Sequence, residues 1–438
     1  MINKIRRKAL DADIQEILKK GGSFLTIRII GLLAGYLFTF FIATQYGAAV
    51  NGLVALSFSL LLFASVFGRL GVDINLVKFY SKPESWKNHP DVFYRVLLKA
   101  LLFAICLAVA LFLLKDFFVY TLFNKPSLEP YIFWVSATIP CWVMVIICSG
   151  LLRAKRMNKW FAFLDSPGRF SFSLLFFFVL WTFLDSSLNA IKAHFYGVFV
   201  LSLLALFVAV KQLKTVSFKK TTNSWRFMRE AFPMMISGAI IVFLGWIDTF
   251  ILGIYESDTT IGVYSVALKI AALTGFSLEG INSILMPKVA KSYAENNLDE
   301  CKKFIQFSTN LNFYITFVVV GFIVVFRKWM LGIFGDEFII GSTVLVVLCI
   351  GQVVNSFSGS VGVILQMTGY QRAYQYIVGL ALLINIILNI ILTPMYGYIG
   401  TAVATVISIS TWNLLGAYYI KKKLNINSFY NPFTVFKK

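Results

Sequence analysis

The chain has 438 residues, of which 58% are apolar and 14% charged, and its mean hydropathy is +0.78. Soluble domains are nearer a quarter charged, so this composition excludes a string of ~150-residue soluble domains and implies a polytopic membrane protein. Forty Lys and Arg against twenty Asp and Glu give +20, which in a membrane chain bears on topology and implies no nucleic acid.

In chain order, residues 5–20 read as a short basic amphipathic helix ended by Gly21-Gly22, lying on the inner membrane surface against anionic lipid. Twelve apolar runs follow, near residues 23–45, 50–77, 96–114, 131–152, 163–184, 193–210, 233–254, 261–286, 304–326, 341–367, 373–393 and 400–420. The first is long enough to span and lacks a small-residue cleavage site, so it reads as a span and not a cleavable leader. With the N-terminus in the cytoplasm, 33 of the 40 Lys and Arg fall on the cytoplasmic side, 5 outside, and Arg69 and Lys269 within spans. That bias predicts that both termini are cytoplasmic, since a miscounted span would reverse every side downstream.

The longest cytoplasmic connection, residues 211–232, carries six Lys and Arg and divides the spans six and six. The expected organisation is a basic segment at 1–22, an N-terminal lobe at 23–210, the linker at 211–232, a C-terminal lobe at 233–420 and a basic cytoplasmic tail at 421–438. Six spans are an even number, so the lobes would be parallel repeats about an axis along the membrane normal. An offset of 210 sets Gly52 on Gly262, and Asn51-Gly-Leu-Val-Ala-Leu-Ser on Ile261-Gly-Val-Tyr-Ser-Val-Ala. It also sets Arg69 on Glu279, while an offset of 213 sets Leu151-Leu-Arg on Ile364-Leu-Gln.

Motifs of catalysis are missing from the sequence. No P-loop, HExxH or nucleophile elbow occurs, the five cysteines show no CxxC spacing, and His89 and His194 read as loop residues. No catalytic residue, metal site or cofactor is therefore expected. The longest external loop, residues 115–130, is 16 residues long, too short to hold the chemistry of a glycan polymerase or ligase.

Several stretches resemble the polysaccharide-biosynthesis flippases. They are Trp246-Ile-Asp-Thr-Phe-Ile-Leu-Gly-Ile-Tyr, Ile261-Gly-Val-Tyr-Ser-Val-Ala-Leu-Lys-Ile-Ala, Asn282-Ser-Ile-Leu-Met-Pro-Lys-Val-Ala, Leu365-Gln-Met-Thr-Gly-Tyr and Pro394-Met-Tyr-Gly-Tyr-Ile-Gly-Thr-Ala. Gly22-Ser-Phe-Leu-Thr-Ile-Arg and Ala43-Thr-Gln-Tyr-Gly look like the family's first span and its exit. The resemblance implies an all-α membrane protein of about twelve spans in two six-helix lobes, with spans 1, 2, 7 and 8 lining a central cavity. It implies transport of undecaprenyl-pyrophosphate-linked oligosaccharide, of O-antigen or capsule type, across a bacterial inner membrane. Glycan polymerase and chain-length machinery would be partners, and a monomer would suffice. The related toxin-extrusion branch makes an ion-coupled multidrug exporter the rival reading.

A pyrophosphate and a hydrated glycan cannot cross hydrocarbon unaided, so a flippase must offer cations in a polar groove. Intramembrane charges cost ~2.5–3.5 kcal/mol each on insertion scales and are functional candidates by default. Arg28 lies ~8 Å into span one, placed to bind phosphate or to snorkel to headgroups. Arg69 and Asp73 are spaced to meet on one helix face, as a local ion pair or with Arg69 gating against Glu279. Asp248 and Lys269 fall at one depth on consecutive spans, as a fixed pair, or as a coupling carboxylate and a phosphate site. Arg28, Arg69 and Lys269 are thus the substrate-phosphate candidates, and Asp248, Glu279 and Asp73 the coupling or gating candidates. Asp165 and Arg169 read as an interfacial pair, Asn385 and Asn389 as a helix-joining pair, and Trp246 and Tyr264 as sugar-stacking rings if they line the cavity.

Overall fold

The computed structural model describes residues 2–183, 186–213, 221 and 223–432, and the side chains of these except residues 2–25, 83 and 87. Among them every regular element is helical. The α-helices are α1 (Ile2–Arg69), α2 (Val72–Tyr80), α3 (Pro83–Asn88), α4 (Asp91–Leu113), α5 (Glu129–Ala154), α6 (Asn158–Asp165), α7 (Pro167–Phe183) and α8 (Asn189–Leu213). There follow α9 (Ser224–Tyr255), α10 (Asp258–Ala272), α11 (Gly275–Ala294), α12 (Leu298–Val325), α13 (Arg327–Gly332), α14 (Ser342–Ser358), α15 (Val361–Met367) and α16 (Gln371–Leu424). Lipid offers no partner for a free N–H or C=O, so an apolar run of this length has only the helix open to it. The same constraint explains a departure from expectation. Gly21-Gly22 does not end the first helix, which is continuous from Ile2.

Eight of these helices are long and apolar enough to cross a membrane, or ten if the bent pairs α6–α7 and α10–α11 each count as one span. Two of the eight are double-length. Residues Thr26–Arg69 hold most of the first two apolar runs, the second continuing into α2, and Gln371–Leu424 the last two. At 1.5 Å per residue they measure about 66 and 81 Å, twice a ~30 Å hydrocarbon core or more. Each is broken at a glycine in the left-handed region, Gly47 (φ 80°) and Gly397 (φ 61°). Beyond the first break the orphan Ala48 N–H donates to Glu337 Oε1 at 2.5 Å.

The chain divides into two compact units, Met1–Phe41 with Leu60–Ala239, and Ile42–Ser59 with Ile240–Lys438. The boundaries therefore fall inside α1 and α9, and residues 42–59 belong to the second unit. In the first unit α8 packs against α5 and α7. Its buried stripe of Ala193, Gly197, Leu201, Ala205 and Ala209 lets backbones approach: a Cβ on Gly197 would lie 2.6 Å from the Ser173 nitrogen. The opposite face of α4 keeps Leu98, Leu102, Ile105 and Val109 exposed, as a lipid-facing helix does. Within the linker, the chain is fastened to this unit by Asp91, which accepts from the Thr221 N–H at 3.1 Å, and by Lys99, whose Nζ donates to Ser224 Oγ at 2.8 Å. Linker residues 214–220 and 222 lie outside the described residues.

The second unit contains the glycine pair that the sequence offset relates. A Cβ on Gly52 would lie 1.9 Å from the Asp258 carbonyl oxygen, and one on Gly262 would lie 1.9 Å from the Ala48 carbonyl oxygen. Each glycine thus faces the carbonyl four residues before the other, and the same offset of 210 carries Ala48 onto Asp258. The crossing is reciprocal, as two related helices meeting at a local two-fold must be. Asn51 locks it, donating from Nδ2 to Gly262 O (3.2 Å) and Ser265 Oγ (2.9 Å).

At its other end the unit has a core of Leu285, Val289, Ile305, Ile364 and Ile420. The C-terminal segment folds onto this end. Asn310 and Asn431 exchange two hydrogen bonds (3.0 and 3.1 Å), and Tyr430 stacks on Phe313 at 4.1 Å.

Candidate functional site

In the first unit α1 ends at Arg69 because Leu70 (φ 51°) and Gly71 (φ 72°) both turn left-handed. Gly71 is pressed against α9, where a Cβ would lie 2.3 Å from the Ala231 carbonyl oxygen. Asn75 Nδ2 donates to Phe227 O at 3.0 Å and ties α2 to the same helix. Arg69 Nη1 meets Asp73 Oδ2 at 3.3 Å with both side chains largely buried. The pair expected on one helix face instead bridges a helix break. On the far wall Gly150 of α5 touches α2, and a Cβ there would lie 2.5 Å from the Asp73 carbonyl oxygen.

These contacts enclose a cavity of about 500 Å³, lined by Arg69, Asp73, Lys78, Arg153, Phe161 and Asp165 among others. Arg153 lies over the Phe161 ring at 4.9 Å. Arg28 Nη2 reaches Asp165 Oδ2 at 3.0 Å. That bond corrects the expected Asp165–Arg169 pair. The chain bends by 48° between α6 and α7, which removes the i, i+4 relation. Arg169 turns inward instead, and its Nε donates to His194 Nε2 at 2.7 Å, with the Trp142 ring 4.9 Å away. An arginine Nε can only donate, so His194 accepts through Nε2 and a neutral ring carries its proton on Nδ1. His194 lies buried inside α8, not in a loop as its sequence context implied.

In the second unit Asp248 of α9 is 4% exposed. Its Oδ1 accepts from Asn389 Nδ2 at 2.8 Å, and its Oδ2 from Thr405 Oγ1 at 2.6 Å and Tyr264 Oη at 3.3 Å. Asn389 also donates to Asn385, and Thr393 joins Asn389 Oδ1 (3.3 Å) to Thr401 Oγ1 (2.8 Å). A polar seam therefore runs along both arms of α16 to a single carboxylate. The expected Asp248–Lys269 pair is not formed. Tyr264 and Lys269 are five residues apart, about 140° around α10, so turning the tyrosine to Asp248 turns the lysine away. Lys269 occupies the last turn of α10, and Glu279 lies on α11 beyond the 43° bend. Arg69 and Glu279 belong to different units.

Two groups of charged and polar side chains thus stand inside a protein whose outer faces are apolar, and the comparisons with known proteins place the chain in a family. The family model described as polysaccharide biosynthesis protein matches residues 17–292, more than half of the length. The chain belongs to the polysaccharide biosynthesis protein family. The MatE model also matches, over residues 233–391. A relative in Haloferax volcanii, the probable low-salt glycan biosynthesis flippase Agl15, is 27% identical over 220 residues, 50% of this chain and 46% of that protein. The chain thus spans about half the length of that curated relative. In fold it is similar to an inward-facing multidrug resistance MATE family transporter of the MOP superfamily (TM-score 0.74, 14% identity, 92% of this chain and 98% of that one). It is equally similar to the lipid II flippase MurJ in an inward closed conformation (TM-score 0.74, 16% identity, 92% and 87%).

For this family member the sequence reading found Asp248 but not its cradle. Tyr264, a stacking ring only if it lines a cavity, is buried and bonded to the carboxylate. Thr393, Thr401 and Thr405 were passed over. Their signal was present, since Asn385, Asn389 and Thr393 recur every four residues and Thr401 and Thr405 repeat that spacing past the Gly397 break. Among the described residues no three His, Cys, Asp or Glu side chains converge as metal ligands.

Proposed function

We propose that this chain is a flippase that moves undecaprenyl-pyrophosphate-linked glycan units, of O-antigen or capsule type, from the inner to the outer leaflet by alternating access. The observation that carries the reading is Asp248, a carboxylate sealed among neutral oxygen and nitrogen groups in a chain without a nucleotide-binding motif. An isolated buried carboxylate is costly, and one that takes up a proton or a monovalent cation and releases it again supplies the drive that ATP does not. The cargo comes from the family and from relatives that bear the name of flippases. The protein is on this reading a transporter and not an enzyme. It crosses the bacterial inner membrane twelve times, each double-length helix counting twice, with both termini in the cytoplasm and glycan polymerase and chain-length machinery as partners.

The residues divide by charge. Arg28, Arg69 and Lys269 are the groups for substrate phosphate, Asp248 is the coupling carboxylate, and Asp73 and Glu279 gate the arginines. The deciding experiment is leaflet accessibility of lipid-linked glycan in cells lacking the gene, with and without the protein restored. Glycan held facing the cytoplasm and released outward on restoration is the expected result. Normal surface glycan together with retained cationic dyes would overturn it in favour of a multidrug exporter.

A further inference from the structure

The cavity of the first unit has cations with no ion-paired acid of their own, although the Arg153 charge is felt at Asp73. Its two carboxylates each hold a partner already, Asp73 with Arg69 and Asp165 with Arg28. Lys78 and Arg153 line the same space, and among the described residues neither side chain makes a hydrogen bond or an ion pair. Arg153 is nonetheless held in place, its guanidinium lying over the Phe161 ring at 4.9 Å. The walls are fixed as well, by the glycine contact of Gly150 with α2 and by the tether from Asn75 to α9. A volume of about 500 Å³ falls within the ~300–1,000 Å³ usual for small-ligand sites. One Asp73 oxygen, Oδ1, is buried and accepts no hydrogen bond, so the carboxylate holds Arg69 through a single contact.

We propose that this cavity is a receiving site for the phosphoryl group of a membrane lipid, gripped by Arg153 and Lys78, with Arg69 recruited from Asp73 as the third ligand. A guanidinium offers a planar fork that fits two phosphate oxygens, and an ammonium adds a point charge. The site lies within one unit, so it holds the head before any step that involves the other. The inference rests on the flippase reading only for the identity of the lipid, a polyprenyl phosphate or diphosphate. The phosphoryl grip rests on the cavity alone.

The test uses the full-length protein in phosphatidylcholine nanodiscs, with polyprenyl diphosphate, polyprenol, phosphatidylglycerol and inorganic pyrophosphate as probes. Polyprenyl diphosphate binds, polyprenol does not, and the double variant Lys78→Gln with Arg153→Gln weakens binding by about tenfold or more. Competition by inorganic pyrophosphate supports recognition of the phosphoryl group itself. Phosphatidylglycerol competing as well as polyprenyl diphosphate overturns the proposal in favour of ordinary lipid contact. Unchanged affinity in the double variant also overturns it. The charge-preserving variant Lys78→Arg, which leaves the Arg153 fork in place and retains binding within about threefold, separates lost cations from a misfolded wall. If the variant loses binding but restored cells show no change in glycan leaflet, the site stands and the flippase reading fails. If glycan flips and the variant binds normally, the site alone fails.

Discussion

In the first unit acids and bases are interleaved around an open cavity, with Arg69 facing Asp73, Arg28 facing Asp165, and Arg153 and Lys78 beside them. In the second unit a single acid, Asp248, is closed in by Asn389, Thr405 and Tyr264. Charges of mixed sign around a cavity can exchange one another for the charge of a ligand. A lone carboxylate among neutral dipoles cannot exchange partners in that way. It changes state only by binding a cation or a proton, and its surroundings must tolerate both. The proposed function thus assigns coupling to Asp248 of the second unit and the phosphate contacts, Lys269 excepted, to the first.

The sharpest way to break this comparison is at Asp248. Asp248→Asn keeps the shape and part of the hydrogen bonding, and transport measured in vesicles should fall to the level of empty vesicles while the protein remains folded. Stabilisation of the folded protein by sodium should disappear with the carboxylate that Asn389 and Thr405 hold. Asp248→Leu should also lower thermal stability, because Asn389, Thr405 and Tyr264 each lose a buried acceptor at ~1–3 kcal/mol apiece. Wild-type transport by Asp248→Asn would reduce the second unit to a structural partner, and the division of tasks would disappear.

The next effect is on the cavity wall. Gly150→Val places atoms where a Cβ already falls 2.5 Å from the Asp73 carbonyl, so α2 must shift. Overpacking of this kind costs ~1–3 kcal/mol, and thermal melting in detergent should show it. Ligand-dependent stabilisation by polyprenyl diphosphate should vanish in this variant, while any stabilisation by sodium should remain. Loss of both together would show that the two units do not act separately.

How much of this was legible in the sequence follows from the physics of each feature. Spans announce themselves because lipid requires ~20 apolar residues in a row, whereas Gly52 and Gly262 are legible only as equivalent positions of a repeat, their backbone contact being seen in the fold. The cradle of Asp248 was harder to see, since threonine and asparagine at four-residue spacing also serve plain helix packing. Pairings across breaks were legible only where the i, i+4 spacing survives the break, as at Arg69 and Asp73. Asp165 was assigned to Arg169 by the i, i+4 rule, and only the bend between α6 and α7 shows that it faces Arg28. Spacing rules hold within a helix, and the first unit places its charges where helices break.

Within the first unit the comparison is sharpened by removing one charge at a time. Arg69→Gln leaves Asp73 buried without its cation, with its side chain only 13% exposed. The loss should fall between the ~0–1 kcal/mol of an exposed pair and the ~3–5 kcal/mol of a broken buried one. Asp73→Asn frees Arg69 while leaving no unpaired acid, so it should be milder in stability and should tighten binding of polyprenyl diphosphate. Opposite signs on binding in these two variants would show that Asp73 competes with the ligand for the arginine. A loss in both would make the pair purely structural.

The smallest effect is expected at Arg28 and Asp165, whose side chains are 36% and 46% exposed. Solvent screening limits such a pair to about 0.2–1 kcal/mol, so Asp165→Asn should barely move the melting temperature. Its consequence lies in charge. Removing Asp165 raises the net positive charge around the cavity by one. Binding of an anionic head should therefore strengthen a few-fold at low salt, and the gain should fade as ionic strength approaches ~0.15 M, where the Debye length is ~8 Å. A gain that survives high salt would mean that Arg28 contacts the ligand directly, and would add it to Arg153 and Lys78 as a phosphate ligand of the first unit.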